Sequence, residues 1–526
     1  MFDRLTFEDA PYIAQAPQRA DVALFVGFVR RRAAALPSAL NRWLSNFLNE
    51  RGIDSSTVES LYDIPVPVDS WNVFDRLFAW EQRPLDEADP FTGRPARFCH
   101  SYIGAAVRSF FAQGGRKCYV VRVGDPWVMT ASYQDRLVQM DKLIPGFSSG
   151  MQSMTPFDAA TWHGVGWLFG LQDASFLCLP DLPDMVRTER EAIDVKRELP
   201  PTPEYFVECS DIEIPLPDNA AKSFLAPRCD DDGYRDWARA LRMLGLLVAR
   251  YQREVQIVAA LPIPAKDTAA NLLDYLTRPN GGSLAYGFDD SGTGIASAFV
   301  QLAYPWLRTP GSERLPEALE SPDAVLTGLL ARNALTQGTF SSAAKLHLAD
   351  VYEVFPKLRR DEIWGRPKAW LEDRALVERV SLFGSTPARL ALLSDVTTSR
   401  DESWRPANVN RLMSLLVRTA RRLGEESAFE PSGEALWKTL RERMRGLLNE
   451  LFAIGALRGK SAADAFEVRC DRTTMTQNDI DNGRTICQIA FDPAVPIERI
   501  NVVLMMNQGG QLSLFAATTA VGQGAG

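Results

Sequence analysis

Histidine is almost missing from this chain. Its 526 residues include three, His100, His163 and His347, so a histidine-centred metal site or a histidine general base has few places to be. Cysteine is sparse as well. The seven residues are too scattered for a disulfide scaffold. Cys178 and Cys487 each sit inside an apolar stretch, where a free thiol behaves as a small hydrophobe, and the set fits a reducing cytoplasm. A basic surplus is lacking too: 58 Lys and Arg stand against 66 Asp and Glu, a formal net charge of −8. That balance argues against nucleic acid as a partner, because phosphate affinity comes from clustered cations. No apolar run approaches the ~20 residues of a membrane span. Val22–Val29 is short, and Arg30-Arg31-Arg32 follow it, the wrong side for a signal peptide. The expectation is a protein made in the cytoplasm and not inserted in a membrane.

What is present is ordinary globular material. Hydrophobic residues make up 46% and charged residues 24%, enough to build sizeable cores, and the length suggests two to four domains at roughly 100–200 residues each. Amphipathic helix patterns alternate with apolar, β-prone runs. Ile103–Gln113 reads as a helix closed by Gly114-Gly115, followed by the strand Cys118–Val123. Phe157–Gly170 precedes the apolar run Ala174–Leu179. Arg235–Arg250 carries Trp237, Leu241, Leu244 and Val248 on one face, and Val255–Leu261 follows. Near-continuous apolar strands between helices predict an α/β layer with a largely parallel sheet.

The last third differs. Val409, Leu412, Leu416 and Leu423 recur at helical spacing, as do Leu436, Leu440, Met444, Leu447, Leu451 and Ile454, with Gly459 as the expected C-cap. Strands are predicted at Phe466–Cys470, Thr485–Ala490 and Ile500–Met506, which makes an α+β module. Residues 31–98, with Trp43, Phe47 and Leu48 and then Pro65 and Pro67, read as an inserted or peripheral helical segment.

Three motifs suggest catalysis and each fails on context. Gly146-Phe147-Ser148-Ser149-Gly150 matches the nucleophile elbow, which needs a strand before it and a helix after it; Pro145 and the surrounding Ser and Gly read as a loop. Gly455-Ala456-Leu457-Arg458-Gly459-Lys460-Ser461 is one residue short of a P-loop and follows a helix rather than a strand. Gly292-Thr293-Gly294 is an incomplete dinucleotide fingerprint, read as a loop ahead of a helix running into Tyr304-Pro305-Trp306. Cys99-His100 with Cys118 has no zinc spacing, and Asp230-Asp231-Asp232 reads as a solvated turn. No catalytic residue, cofactor or metal is therefore assigned.

A series of segments resembles the contractile-tail sheath proteins, the outer tube of myophage tails, R-type pyocins, type VI secretion and extracellular contractile injection systems. At the C-terminal end these are Phe466-Glu467-Val468-Arg469-Cys470-Asp471, Thr473 through Asp479-Ile480-Asp481-Asn482-Gly483-Arg484, Pro493, and Pro496-Ile497-Glu498. Upstream come Trp404-Arg405-Pro406-Ala407-Asn408-Val409-Asn410-Arg411-Leu412, Phe429-Glu430-Pro431 with Trp437, and Leu451–Gly459. Ala303–Leu307, Phe110–Val123, Leu177–Asp181 and Ala23–Gly27 complete the series in the same order, over about four-fifths of the chain. The stretch with a Trp-Gly-Ala-Arg-Thr core that usually precedes the C-terminal helices of sheaths is not found; Val380–Ser385 stand in its place.

The resemblance implies an α/β middle domain plus an α+β C-terminal sheath domain, with extended N- and C-terminal arms. The boundaries it suggests are 1–30 for the N-terminal arm and first strand, 31–98 for the inserted segment, 99–365 for the middle domain, 366–500 for the C-terminal domain and 501–526 for the C-terminal arm. It implies a non-enzymatic structural subunit in stacked hexameric rings of itself or its paralogues, around an inner tube protein, with baseplate and cap proteins as partners, in a phage-tail-like particle assembled in the cytoplasm. It also implies strand exchange between subunits, and the residues for it are Val502, Val503, Leu504 and Met505, then Leu512, Leu514 and Phe515 beyond Gln508-Gly509-Gly510, with Leu24 and Phe25 at the other end; from the residues alone, pairing of the C-terminal runs within their own domain stands beside it as the alternative. The alternatives are a non-contracting adaptor near the baseplate or cap and, from another class, an α/β serine hydrolase using Ser148.

Overall fold

The described residues of the computed structural model are 19–86, 96–150, 153–188, 193–196, 220–265, 295–364, 376–387, 389–399, 401–427, 430, 433–494, 500–506 and 512–518. The segments singled out in the sequence at residues 1–18, Gly292–Gly294, Phe429, Pro431, Pro496–Glu498, Gln508–Gly510 and beyond Thr518 lie outside them.

The apolar runs build one eight-stranded sheet. Its strands are β1 (Val22–Phe28), β2 (Pro65–Val68), β3 (Cys118–Gly124), β4 (Ala174–Cys178), β5 (Gln256–Ala260), β6 (Val300–Tyr304), β7 (Ser381–Ser385) and β8 (Leu390–Leu392). The order is β8-β7-β6-β5-β4-β1-β3-β2, with the six inner strands parallel and the two outer ones antiparallel. Strands such as β1 and β5 are buried along their whole length because helices cover both faces of a parallel sheet. The covering helices include α1 (Ser38–Asn49), α2 (Tyr102–Ala112), α3 (Asp231–Tyr251) and α4 (Asp323–Thr336). Asp230 caps α3 by accepting from the amides of Asp232 and Gly233, so the aspartate run expected as a turn is a helix start.

Three further expectations change. The described part of residues 31–98 is not peripheral: Leu40, Leu44, Phe47 and Leu48 of α1 lie in the main core, and the proline-punctuated stretch is the edge strand β2. Pro65 and Pro67 are two residues apart, so their donor-less nitrogens share the outer side of the strand, and Val66 donates inward to β3. The run into Tyr304 is β6 rather than a helix, its alanine and valine buried between β5 and β7. Phe157–Gly170 forms two 3₁₀ turns, Ala159–Thr161 and Gly164–Gly170, instead of an amphipathic helix.

A second core begins later than residue 366. It is built by α5 (Ala407–Glu426), α6 (Glu434–Ala453) and the antiparallel strands β9 (Phe466–Arg469), β10 (Thr485–Phe491), β11 (Ile500–Met506) and β12 (Leu512–Thr518), in the order β9-β10-β11-β12. β7 and β8 belong to the large sheet, so the two cores part between Leu392 and Val409. Helix α6 ends in a Schellman motif. The amide of Gly455 bonds to Phe452 O (3.0 Å) and that of Ala456 to Leu451 O (2.9 Å), with Gly455 at φ +79°. The cap is Gly455, not Gly459.

Between the cores runs a polar seam carried by α5. One side of α5 places Val409, Leu412, Leu416 and Leu423 in the second core. The other side carries Asn410, Ser414, Arg418 and Arg421, spaced by three and four residues, toward the N-terminal ends of β4 and β5. Arg418 donates to Ala174 O and Ser175 Oγ (both 2.9 Å) and to Arg19 O, and Arg421 pairs with Glu254 at 2.6 Å. Arg411 holds Asp395 through two bonds, 2.6 and 3.0 Å, while Gln301 Nε2 (2.9 Å), the Ala343 amide (2.8 Å) and the Ser342 hydroxyl (3.4 Å) also donate to the carboxylate. Burial pushes the Asp395 carboxyl up, but the Arg411 charge and these hydrogen bonds outweigh it and hold it below the usual range.

Two outcomes follow for thermal melting. Asp395→Ala leaves the buried Arg411 guanidinium unpaired and should cost about 3–5 kcal/mol, whereas Asp395→Leu combined with Arg411→Met should cost clearly less. The second concerns Glu320, whose carboxyl burial pushes up to about 8 against hydrogen bonds from Ser109 (2.5 Å) and Thr309. The native state therefore holds this proton where the unfolded chain has released it. Its contribution to stability is complete below the unfolded value of 4.5 and declines as pH rises through about 8. Glu320→Gln should flatten that slope and be more stable than the wild type at pH 8, by on the order of a few kcal/mol. Equal slopes for the two proteins would refute the assignment.

Candidate assembly interface

In a doubly wound sheet a ligand crevice opens outside the carboxyl ends of the strands where the order reverses. Here the order reverses between β1 and β4. Asp181, just beyond β4, accepts from the Phe28 amide at 2.7 Å. Gly27 permits that approach, since a Cβ there would collide with Asp181 Oδ2. Asp184 pairs with Arg83 (2.5 Å) and Arg187 (3.2 Å), and the Arg83 guanidinium lies over the Trp127 ring at 5.3 Å. Arg83, Asp181 and Asp184 are all buried. Burial pushes Asp181 up to about 7; it works on Asp184 in the same direction, but the charges of Arg83 and Arg187 win and hold that carboxyl low. The reversal point is thus filled by the chain's own side chains.

The catalytic candidates do not converge. Ser148 lies in a turn after the short helix Met140–Leu143, and its hydroxyl donates to the Asp141 carboxylate. His163 pairs with Asp63 at 2.7 Å, and His100 Nδ1 contacts Gly311 O at 2.8 Å with its ring against Trp80. His347 forms a backbone bridge to Ala391. Cys99 and Cys118 are buried free thiols, and among the described residues no three potential metal ligands cluster. A cavity of about 80 Å³ beside α3 is lined by Ile144, Met154, Val165, Met243 and Leu247 and by no charged side chain. Among the described residues no helix is long and apolar enough to cross a membrane.

The strand-exchange residues fall in two places. Leu24 and Phe25 are buried at the centre of the large sheet, where β1 pairs with β3 on one side and β4 on the other, so neither edge of that strand is free. Val502 and Leu504 of β11 are buried in the second core, and Val503 and Met505 are partly buried against it. β11 pairs with β10 along one edge and with β12 along the other, in a register that runs from Ile500↔Thr518 to Met506↔Leu512. Leu514 stands opposite Leu504, and Phe515 opposite Val503. Among the described residues no strand lies beyond β12 or β9, so this small sheet presents two unpaired backbone edges.

The large sheet does not. Its β2 edge carries the two prolines, and its β8 edge is covered by residues 345–348, which exchange backbone bonds with Leu390 and Leu392 at 2.7–3.0 Å. The sequence reading missed this contrast, although Pro65 and Pro67 were the visible signal for one of the two closed edges.

No family model and no curated protein matches the chain. Solved structures do. One is a cryo-EM structure of the anti-feeding prophage (AFP) baseplate in its contracted state, with TM-score 0.55 at 16% identity, covering 95% of this chain and 96% of that one. The six-fold symmetrised AFP baseplate gives 0.52 at 16% identity, and the contracted AFP helical sheath 0.50 at 17%, each covering 94% of this chain and 95% of that chain. The chain has the fold of contractile-tail sheath proteins, with mixed α/β content and a large mixed sheet.

Proposed function

We propose that this chain is a structural subunit of the sheath of a contractile, phage-tail-like injection particle. The observation that carries the reading is the whole-chain likeness to AFP structures, which spans both cores in order and leaves almost nothing over in either chain. A place next to the baseplate has support as well, because two of those neighbours come from baseplate assemblies.

In this reading, subunits stack in rings around an inner tube. Contraction re-packs rigid modules against one another into a wider, shorter array, a switch between discrete packings. The small C-terminal sheet supplies the links. In the free chain β12 closes on β11; in the array the same pairing is made between copies, so backbone hydrogen bonds replace one another at little cost while the subunits become tethered. The filled reversal point of the large sheet and the isolation of Ser148 support a role without chemistry.

Deleting Gln511–Gly526 tests the links. The expected product is a folded monomer that keeps the core of α5, α6 and β9–β11 but forms no tubes or rings by negative-stain microscopy when co-expressed with its partner proteins. A truncated chain that enters particles normally would sink strand exchange at this segment, and one that aggregates on purification would place β12 permanently at home. Ser148→Ala should change neither melting nor assembly, and a serine-reactive fluorophosphonate should label neither protein at residue 148. Labelling of the wild type alone would restore the hydrolase reading.

A further inference from the structure

Two of the seven cysteines stand opposite each other in the small sheet. The β9–β10 register runs from Phe466↔Phe491 to Arg469↔Gln488; Cys470 directly follows β9, and extending the register by one residue places it opposite Cys487, with which its side chain is hydrogen-bonded. The Asp492 amide bonds to Ala465 O across the same ladder (2.9 Å), which makes Ala465/Asp492 a hydrogen-bonded pair. Alternation then makes 467/490 and 469/488 hydrogen-bonded and leaves 466/491, 468/489 and 470/487 as the closer, non-hydrogen-bonded pairs. Such pairs hold their Cα atoms about 4.5 Å apart, inside the range a disulfide spans. Both side chains are buried on the core face, in line with Phe466 and Val468 on one strand and Ile489 and Phe491 on the other. The two thiols are free and in hydrogen-bonding reach of each other.

We propose that Cys470 and Cys487 are a cross-strand disulfide site, closed by exchange with a low-molecular-weight disulfide when the protein leaves reducing surroundings. The thiolate of Cys470 attacks one sulfur of the small disulfide, forms a mixed disulfide and expels one small thiolate. Cys487 then attacks the Cys470 sulfur and expels the second. The two protein thiols are oxidised, the small disulfide is reduced to two thiols, and the two protein protons end on them. Cys470 is the better first nucleophile: its hydrogen bond from Cys487 lowers its pKa against the effect of burial, while that same bond and burial push Cys487 well up. Access comes from β9, the outer strand of its sheet, where local opening is easiest. The other described cysteines, Cys99, Cys118, Cys178 and Cys229, lie outside this core, and none of them shares a strand pairing of this kind with another.

The test is peptide mapping of the full chain after incubation with oxidised glutathione, with remaining thiols alkylated under denaturing conditions and digestion without reductant. The expected result is a peptide pair joined through Cys470 and Cys487, an intact mass lower by two hydrogens, and reversal by dithiothreitol. The linked protein should melt roughly 5 °C higher. Cys487→Ser should lose the link and retain glutathione on Cys470. Recovery of both wild-type residues as alkylated thiols, or of either linked to another cysteine, overturns the proposal. The wild-type map decides the matter even if a serine variant does not fold.

Discussion

Helix α5 is the constraint on which the arrangement of the molecule rests. A hydrophobic seam between two cores is tolerant, because apolar contact has no preferred direction. The seam here is directional. Arg418 reads the backbone carbonyl of Ala174 and the hydroxyl of Ser175, Arg421 reads Glu254, and Arg411 reads Asp395 with two parallel bonds. Moving α5 by a turn would strand several buried charges at once, so the second core is held to the N-terminal ends of β4 and β5 in one register. The carbonyl of Arg19, just ahead of β1, is part of the same set, which ties the chain's first described residues to a helix four hundred positions away.

The opposite, carboxyl end of the large sheet is occupied by the chain itself. Doubly wound sheets usually leave a crevice where the strand order reverses. In this chain Gly27 lets a carboxylate come down onto the strand end, and an arginine from the β2 side neutralises the next one. At this end Arg83, Arg187 and Asp184 face each other.

Much of this was legible from residue order alone. Runs such as Cys118–Val123 and Val255–Leu261 declare buried parallel strands by their lack of alternation, and Leu436, Leu440 and Met444 declare α6 by spacing. What escaped was set by tertiary partners. Val300–Tyr304 has no pattern that separates a short buried strand from a helix, and only β5 and β7 on its flanks decide the matter. The domain boundary was misplaced because β7 and β8 return to the first sheet from far along the chain. Arg411 and Arg418 lie seven residues apart on a helix that is apolar on its other side, a signal present in the sequence but readable only once a buried partner is suspected. Most of their acceptors are main-chain carbonyls, which leave no trace in a sequence.

The closed rims of the large sheet and the open rims of the small one give the molecule a valence. Prolines strip the donors from one rim of the large sheet and residues 345–348 cover the other, so this sheet offers little edge for chain-to-chain pairing. In the sheath role proposed above, copies find one kind of open rim rather than two equivalent ones. In that same reading, the unpaired edges of β9 and β12 supply the links between copies, and the larger core, with most of the apolar mass, meets its neighbours through side chains.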